Sequence, residues 1–428
     1  MLGGKSFVVF TLAVCSALVA IVGASNYCID PYGMNESLLI DKLNYVKPES
    51  ATHARLSLAA VISRRAPSVV ALGTSRALRG ISMDHPGWAG ELSERYNAAL
   101  MGANIYEIVR YFEHAEQTQA LRQAVLGLDF FSFNAYKQNA ADFDEALLLR
   151  YGDAVSIKRH IERLKTYVSN DTLYSSYRTV QGNLVQWSPP FLGDGRENPA
   201  GLEASIVLGG GQHHAFILSA MVALTNLNFP PPYRRAALEG AHGERPVREL
   251  GRMIDIARKK HVDLRLFISP AHARQWEALR VAGLWDEFER WKRELVLVLE
   301  QDAARHPSEV VIPLWDFSGY SSISTEPVPV AGDSTSRMKW YWESSHYRKE
   351  VGDLVLDRVF GYRDLQRTVP DDFGVLLTQR NLDGHLAEIR EEGIGYRETH
   401  REDIVEIESL ARKVAQERKE RELRRGRR

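Results

Sequence analysis

The sequence predicts an α/β protein built on a largely parallel sheet covered by helices. Three observations lead there. Short apolar runs rich in β-branched residues recur along the chain, and the clearest of them end in Gly or Ser-Pro turn signals. Between them lie stretches with apolar residues at helical spacing. The two kinds of segment alternate, the pattern of parallel strands joined by helical crossovers.

The elements follow in order. Ser68 to Leu72 (SVVAL) reads as a buried strand closed by Gly73. Arg95 to Ala99 is a second strand. Asn104 to Ala115 places Ile105, Ile108, Val109 and Phe112 on one helical face. Ala124 to Phe131 (AVLGLDFF) is a third strand. A helix over Pro246 to Lys260 runs into a strand at Val262 to Ile268, stopped by Ser269-Pro270. Val310 to Asp316 is a later strand. The stretch from about 132 to 244 breaks this rhythm, with Gly209-Gly210-Gly211 and Pro230-Pro231-Pro232, and reads as a helical insertion forming a lid or wall. From 361 to 428 the chain reads as a helical tail. Its last part, 412 to 428, holds nine Lys/Arg against three Glu and reads as solvated.

Composition bounds the function. The 428 residues carry 54 basic and 55 acidic side chains, with 44% apolar and 25% charged residues. That is ordinary globular usage, which excludes a disordered, collagen-like or multi-span chain. A balanced charge argues against nucleic-acid binding by the bulk of the chain. Two cysteines, Cys15 and Cys28, cannot build a disulfide framework or a four-ligand zinc site. His213-His214 has no third ligand at a recognisable spacing, and no metal site is expected. The glycine run lacks the Lys-Ser/Thr of a phosphate loop.

Residues Phe7 to Ala24 form an uncharged apolar run of 18 residues behind Lys5. At about 1.5 Å per residue it covers roughly 27 Å, enough to cross a bilayer core. Two readings fit the segment 1–26. One is an uncleaved anchor. The other is a secretory signal cut near Val22-Gly23-Ala24. The run is longer than a usual signal core, which favours the anchor and places the rest of the chain across the membrane.

Two motifs carry chemistry. Gly73-Thr74-Ser75-Arg76 directly follows the first strand, where open α/β sheets bind ligands. A Ser there can have its hydroxyl exposed and its backbone N–H at a helix start; taken alone, Thr74 or Ser75 more simply fits a plain helix cap. Far downstream, Trp340-Tyr341-Trp342-Glu343-Ser344-Ser345-His346-Tyr347 holds an acid three residues before a His. That spacing lets Glu343 orient the His346 ring, which can then take a proton from a Ser hydroxyl. Taken alone, it also fits a surface His beside a solvated Glu.

Together these residues resemble the SGNH/GDSL hydrolase superfamily, in which a Ser block opens the domain and an Asp-x-x-His closes it. The resemblance covers roughly Ser68 to Phe360. GTSRALRGIS, GLDFFSFN and YWESSHY look like its bacterial membrane-anchored branch, relatives of the alginate acetylation and teichoic acid D-alanylation proteins. It implies a three-layer sandwich over 27–360 with Ser75 as nucleophile, His346 as general base and Glu343 as orienting acid. Thr74 stands where the usual motif has Asp, and Glu343 where it has Asp. The oxyanion donors implied are the Ser75 N–H, Gly102 and an Asn. Gly127-Leu128-Asp129 lacks the family's Gly-x-Asn, so Asn104 and Asn134 are candidates. Arg76, His272 and Asp129 are candidate substrate-binding residues.

The implied activity is acyl-ester hydrolysis or acyl transfer on a cell-envelope or exopolysaccharide glycan. The implied place is the periplasmic face of a bacterial inner membrane. No cofactor is called for, and a multi-span acyltransferase is a candidate partner. The alternative is a non-catalytic SGNH-like module that binds a glycan or such a partner. Catalysis requires Ser75 Oγ within about 3.5 Å of a His346 ring nitrogen, with Glu343 on the other nitrogen.

Overall fold

A computed structural model describes residues 4–35, 37–148, 157–227, 238–240 and 243–425. The helices are α1 (Gly4–Ile29), α2 (Ala54–Arg65), α3 (Ser75–Gly80), α4 (Ile105–Thr118), α5 (Ile157–Tyr167), α6 (Asn170–Leu184), α7 (Pro199–Leu208), α8 (Gln212–Val222), α9 (Val247–Lys260), α10 (Ala273–Val281), α11 (Trp285–Arg305), α12 (Lys349–Phe360), α13 (Leu382–Thr399) and α14 (Arg401–Arg425). The strands are β1 (Val69–Leu72), β2 (Arg95–Asn97), β3 (Gln123–Leu128), β4 (Asp263–Ile268), β5 (Leu314–Asp316) and β6 (Val375–Leu376). The chain divides into two compact units. The first gathers residues 1–66, 113–119 and 141–192; the second gathers 67–112, 120–140 and 193–428.

The second unit carries the sheet, in the order β2-β1-β3-β4-β5-β6. All pairings are parallel except the antiparallel β5–β6 edge. In β1 and β3 every residue is buried, as a sheet covered on both faces demands, which is why these strands read as unbroken apolar runs. Register pairs Val69 with Gln123 and Leu72 with Leu126, so β1 and β3 end at the same rim.

Several boundaries move from the sequence reading. The third strand stops at Leu128 because Asp129 starts a short 3-10 turn over Phe130–Phe133. The later strand begins only at Leu314, since Pro313 has no N–H for a ladder; its carbonyl instead accepts from Leu266 N. The stretch taken as one insertion is divided: 141–192 belong to the first unit and 193–227 to the second. Its Pro230-Pro231-Pro232 run lies outside the described residues. The tail is packed over much of its length. Leu382, Leu386 and Ile389 of α13 are buried. Ile407 and Val414 of α14 join Ala223, Leu224 and Ala278 in a small core.

The first unit holds the apolar N-terminal helix. Among the described residues Ser6–Ile29 is the one helix that by itself is long and apolar enough to cross a membrane, with mean hydropathy 2.6; α7 and α8 reach that standard only jointly, across a 102° bend. The carbonyls at the C-terminal end of α1, which have no helical partner, are met by side chains. Lys47 Nζ donates to Ile29 O (2.7 Å), and Asn44 Nδ2 to Cys28 O (3.0 Å). Asn26, fully buried, donates to Tyr167 O (2.7 Å) and accepts from Ser176 Oγ (2.8 Å), which ties α1 to the end of α5 and to α6.

Candidate active site

The site lies in the second unit, at the C-terminal rim of the sheet. The chain leaves β1 through Gly73, whose φ of +143° lies outside the range of ordinary side-chain-bearing residues. A Cβ there would press within 2.9 Å of Gly127 O and Ala77 Cβ. Thr74 then caps α3, its side chain accepting from Arg76 N (3.4 Å) while its hydroxyl donates to Asp129 Oδ2 (2.5 Å). Ser75 therefore opens α3, where its N–H has no carbonyl one turn back to bond.

His346 arrives from the loop before α12. Tyr341 and Tyr347 form a β-bridge, and Trp342 N and Arg348 N bond His346 O (2.9 Å) and Trp340 O (2.8 Å), closing the loop on itself. The loop meets α3 because two glycines remove the obstacles. A Cβ on Gly80 would overlap the buried Tyr347 ring, and a Cβ on Gly352 of α12 would overlap the carbonyl of Gly80. Helices α3 and α12 thus touch backbone to backbone.

The result is a hydrogen-bonded line of three side chains. Ser75 Oγ lies 2.7 Å from His346 Nε2, and His346 Nδ1 meets Glu343 Oε1. With the ring proton on Nδ1 facing the carboxylate, Nε2 is free to accept from the Ser75 hydroxyl. The His346 and Glu343 side chains keep 17% and 15% of their exposure, so solvent reaches the line. Burial resists ionisation of Glu343, but the His346 ring, the Ser219 hydroxyl and the Ser345 N–H outweigh it and hold the carboxyl down at about 2. Burial pulls His346 below its ordinary 6.5, helped by the charge of Arg79, with Glu343 pulling the other way. The imidazole is therefore neutral near pH 7 and able to accept a proton.

Several residues expected at the site have other duties. Arg76 is buried; Nη1 donates to Asp129 Oδ1 (2.9 Å), and Nε and Nη2 donate to Ser345 Oγ (3.3 and 3.1 Å). It links the Ser75 and His346 segments through Asp129 and Ser345. Asp129, buried and held by Thr74 and Arg76, is the other half of that brace. His272 caps α10, with Nδ1 accepting from Arg274 N (3.2 Å) and Nε2 donating to Glu326 O (2.7 Å). Burial holds it neutral, with a pKa lowered to about 4. Its contribution to the site is indirect: its backbone N–H bonds Ser344 O at 3.0 Å.

The side-chain oxyanion candidates are engaged as well. Asn104 accepts from Glu107 N (2.9 Å), and both Nδ2 hydrogens are taken, by Lys137 O (3.1 Å) and Asn139 Oδ1 (2.8 Å). Asn134 is a turn residue that accepts from Tyr136 N (3.0 Å). Gly102 is exposed, with φ +63°, in a turn anchored beside the Ser motif by Leu100 N donating to Gly73 O (3.0 Å).

Sequence reasoning missed the supports from α8. Gln212 donates to Tyr341 O (2.5 Å) and Trp342 O (3.2 Å) and accepts from Met338 N (2.8 Å). Seven residues on, Ser219 meets Ser344 Oγ (2.8 Å). Their one signal is polarity within an apolar helix. Arg79, read from the sequence as either an anion-binding residue or a solvated helix charge, pairs with Glu197 at 2.6 Å, and its charge lowers the pKa of His346. Among the described residues no group of three or more His, Cys, Asp or Glu is arranged to hold a metal ion. Compared with known proteins, the chain matches no family model and no curated sequence.

Proposed function

We propose that this chain is an SGNH-like serine acyl-ester enzyme with the sheet and helices of a three-layer sandwich. In this reading α1 anchors it in a bacterial inner membrane, and the bulk faces the periplasm. It hydrolyses an ester, or moves an acyl group, on a cell-envelope or exopolysaccharide glycan. One observation carries the proposal: Ser75 Oγ stands 2.7 Å from His346 Nε2, across 271 residues of chain, with Glu343 on the other ring nitrogen.

The chemistry follows from that line. Ser75 Oγ attacks the acyl carbonyl carbon as its proton passes to His346 Nε2. The N–H groups of Ser75 and Gly102 receive the oxyanion. Glu343 stabilises the imidazolium without itself taking the proton. The intermediate collapses, His346 protonates the departing oxygen, and an acyl-Ser75 ester remains. A water or sugar hydroxyl then gives its proton to His346, attacks the ester, and the proton returns to Ser75.

A second reading draws on a specific observation. Asn104, Asn134 and Asp129 all have other partners. A missing oxyanion donor typically costs about 2.7–4 kcal/mol of barrier. A glycan-binding module, or one that binds a multi-span acyltransferase, fits that shortage. Full-length protein in detergent micelles decides between them. The enzyme releases nitrophenol from a nitrophenyl acetate and takes a fluorophosphonate on Ser75, and Ser75→Ala lowers turnover by on the order of 10³-fold or more. Equal turnover by the two proteins removes the covalent mechanism.

A further inference from the structure

We propose that the first unit carries a lipid-binding collar: α5 and the Leu38–Ile40 loop lie within the headgroup and acyl boundary of the bilayer, beside α1. The proposal rests on reading α1 as a membrane-crossing helix and adds to it a second, peripheral attachment.

The argument begins with depth. The apolar run Phe7–Ala24 is about 27 Å long, slightly less than the roughly 30 Å of a bilayer core, so all of it is needed to cross and little can stand clear of the hydrocarbon. Yet the C-terminal end of α5 meets the second half of this run. Leu164, Tyr167 and Val168 share a groove with Cys15, Val19 and Gly23, and a Cβ on Gly23 would sit 3.3 Å from Val168 Cγ1. From Cys15 to Gly23 the helix rises about 12 Å. An α5 side chain alongside this part of α1 is at membrane depth.

Its surface suits that place. Ile161, Leu164 and Val168 follow helical spacing and are 45%, 63% and 44% exposed. In water such a stripe is a cost; against acyl chains it is matched. The α5 sequence, IKRHIERLKTY, carries four cations to one carboxylate, the charge pattern of a helix lying on anionic headgroups. Lys165, exposed, shares Glu162 at 2.9 Å.

A second apolar feature stands at the same end of α1. Leu38, Leu39 and Ile40 are 78%, 54% and 44% exposed in succession. Asn44 pins them there, bonding both Cys28 O and Leu38 O at 3.0 Å and accepting from Ile40 N at 2.7 Å. A soluble loop has no use for three bared aliphatic side chains held rigidly beside a membrane helix. Tyr27, 53% exposed at this level, is the residue type that favours the interface.

The test uses full-length protein in vesicles of phosphatidylcholine and phosphatidylglycerol, with a nitrobenzoxadiazole dye on a single cysteine. Three proteins are made: native Cys15 alone, Leu39→Cys and Leu164→Cys, with the remaining native cysteines replaced by Ala. Both engineered sites are exposed, so the substitutions disturb no core. A nitroxide on the lipid acyl chains should lower emission from positions 39 and 164 roughly two-fold, while iodide in the water leaves them nearly unquenched. If Cys15 is quenched by lipid but 39 and 164 answer only to iodide, the collar is refuted and the anchor stands. If none of the three senses the nitroxide lipid, both are refuted.

Discussion

In the proposed mechanism the chemistry turns on His346, and its surroundings set its pH behaviour. Burial and Arg79 lower its pKa below 6.5, and Glu343 opposes them. The active form is the neutral ring, so kcat/KM falls as pH drops through a value below 6.5. Glu343, at about 2, stays ionised across this range and adds no second limb. Glu343→Gln removes the group that raises the His346 pKa, so the acid limb moves to still lower pH. It also removes the partner of the imidazolium, so the plateau falls by on the order of 10³- to 10⁴-fold. A pH–rate profile of this variant that overlays the wild type would show that Glu343 does not act through His346. Ser75, Glu343 and His346 were legible as residues because a strand-end Gly-x-Ser and an acid-x-x-His are local patterns. The Arg76–Asp129 brace was not, since its halves lie 53 positions apart and neither side chain announces its partner. Nor was the capping role of His272, which depends on Glu326 O, 54 residues away.

Among the elements, the close crossing of α3 and α12 brings Ser75 and His346, the proposed nucleophile and base, together. Gly352→Ala places a methyl against the Gly80 carbonyl, which belongs to the backbone and cannot swing aside. Overpacking of this kind costs about 1–3 kcal/mol, and here the strain falls six residues from His346. The expected outcome is a lower melting temperature together with a fall of about ten-fold or more in fluorophosphonate labelling of Ser75, because a shift on the order of 1 Å is enough to spoil such a line. Unchanged melting and labelling would mean that the helices have room to part. The strands were readable wherever burial made them largely apolar, as in β1 and β3, and in β4 through its buried Leu264, Leu266, Phe267 and Ile268. The edge strand β6 was not: two residues, Val375 and Leu376, carry no periodicity. The support from α8 was hidden for another reason, since Gln212 and Ser219 act through loop carbonyls and hydroxyls that no spacing rule foretells.

For the whole molecule, buried neutral histidines make acid a solvent of stability before the carboxylates titrate. His272 has a folded pKa of about 4 against 6.5 for the free ring. Between these values the unfolded chain binds a proton that the folded chain refuses, so stability falls as pH drops through this window. The full effect is about 3 kcal/mol at most. His272→Asn keeps a capping oxygen for α10 but does not titrate. Urea midpoints followed by tryptophan fluorescence from pH 7.5 to 4.5 should therefore decline less steeply in the variant, and parallel curves would exclude His272 as the source. At this scale the sequence disclosed the apolar helix and the parallel sheet, each a property of contiguous residues. It did not disclose the division of 132–244, because which unit a helix joins is decided by distant partners such as Asn26, which holds Tyr167 and Ser176.

The two compact units are woven, not strung. The chain passes between them five times, at 66/67, 112/113, 119/120, 140/141 and 192/193. Neither is one continuous stretch of sequence, and no one scission of the backbone separates them. Each of the two units, the one with the apolar N-terminal helix and the one with the Ser75–His346 line, is therefore completed only by segments from separate parts of the chain.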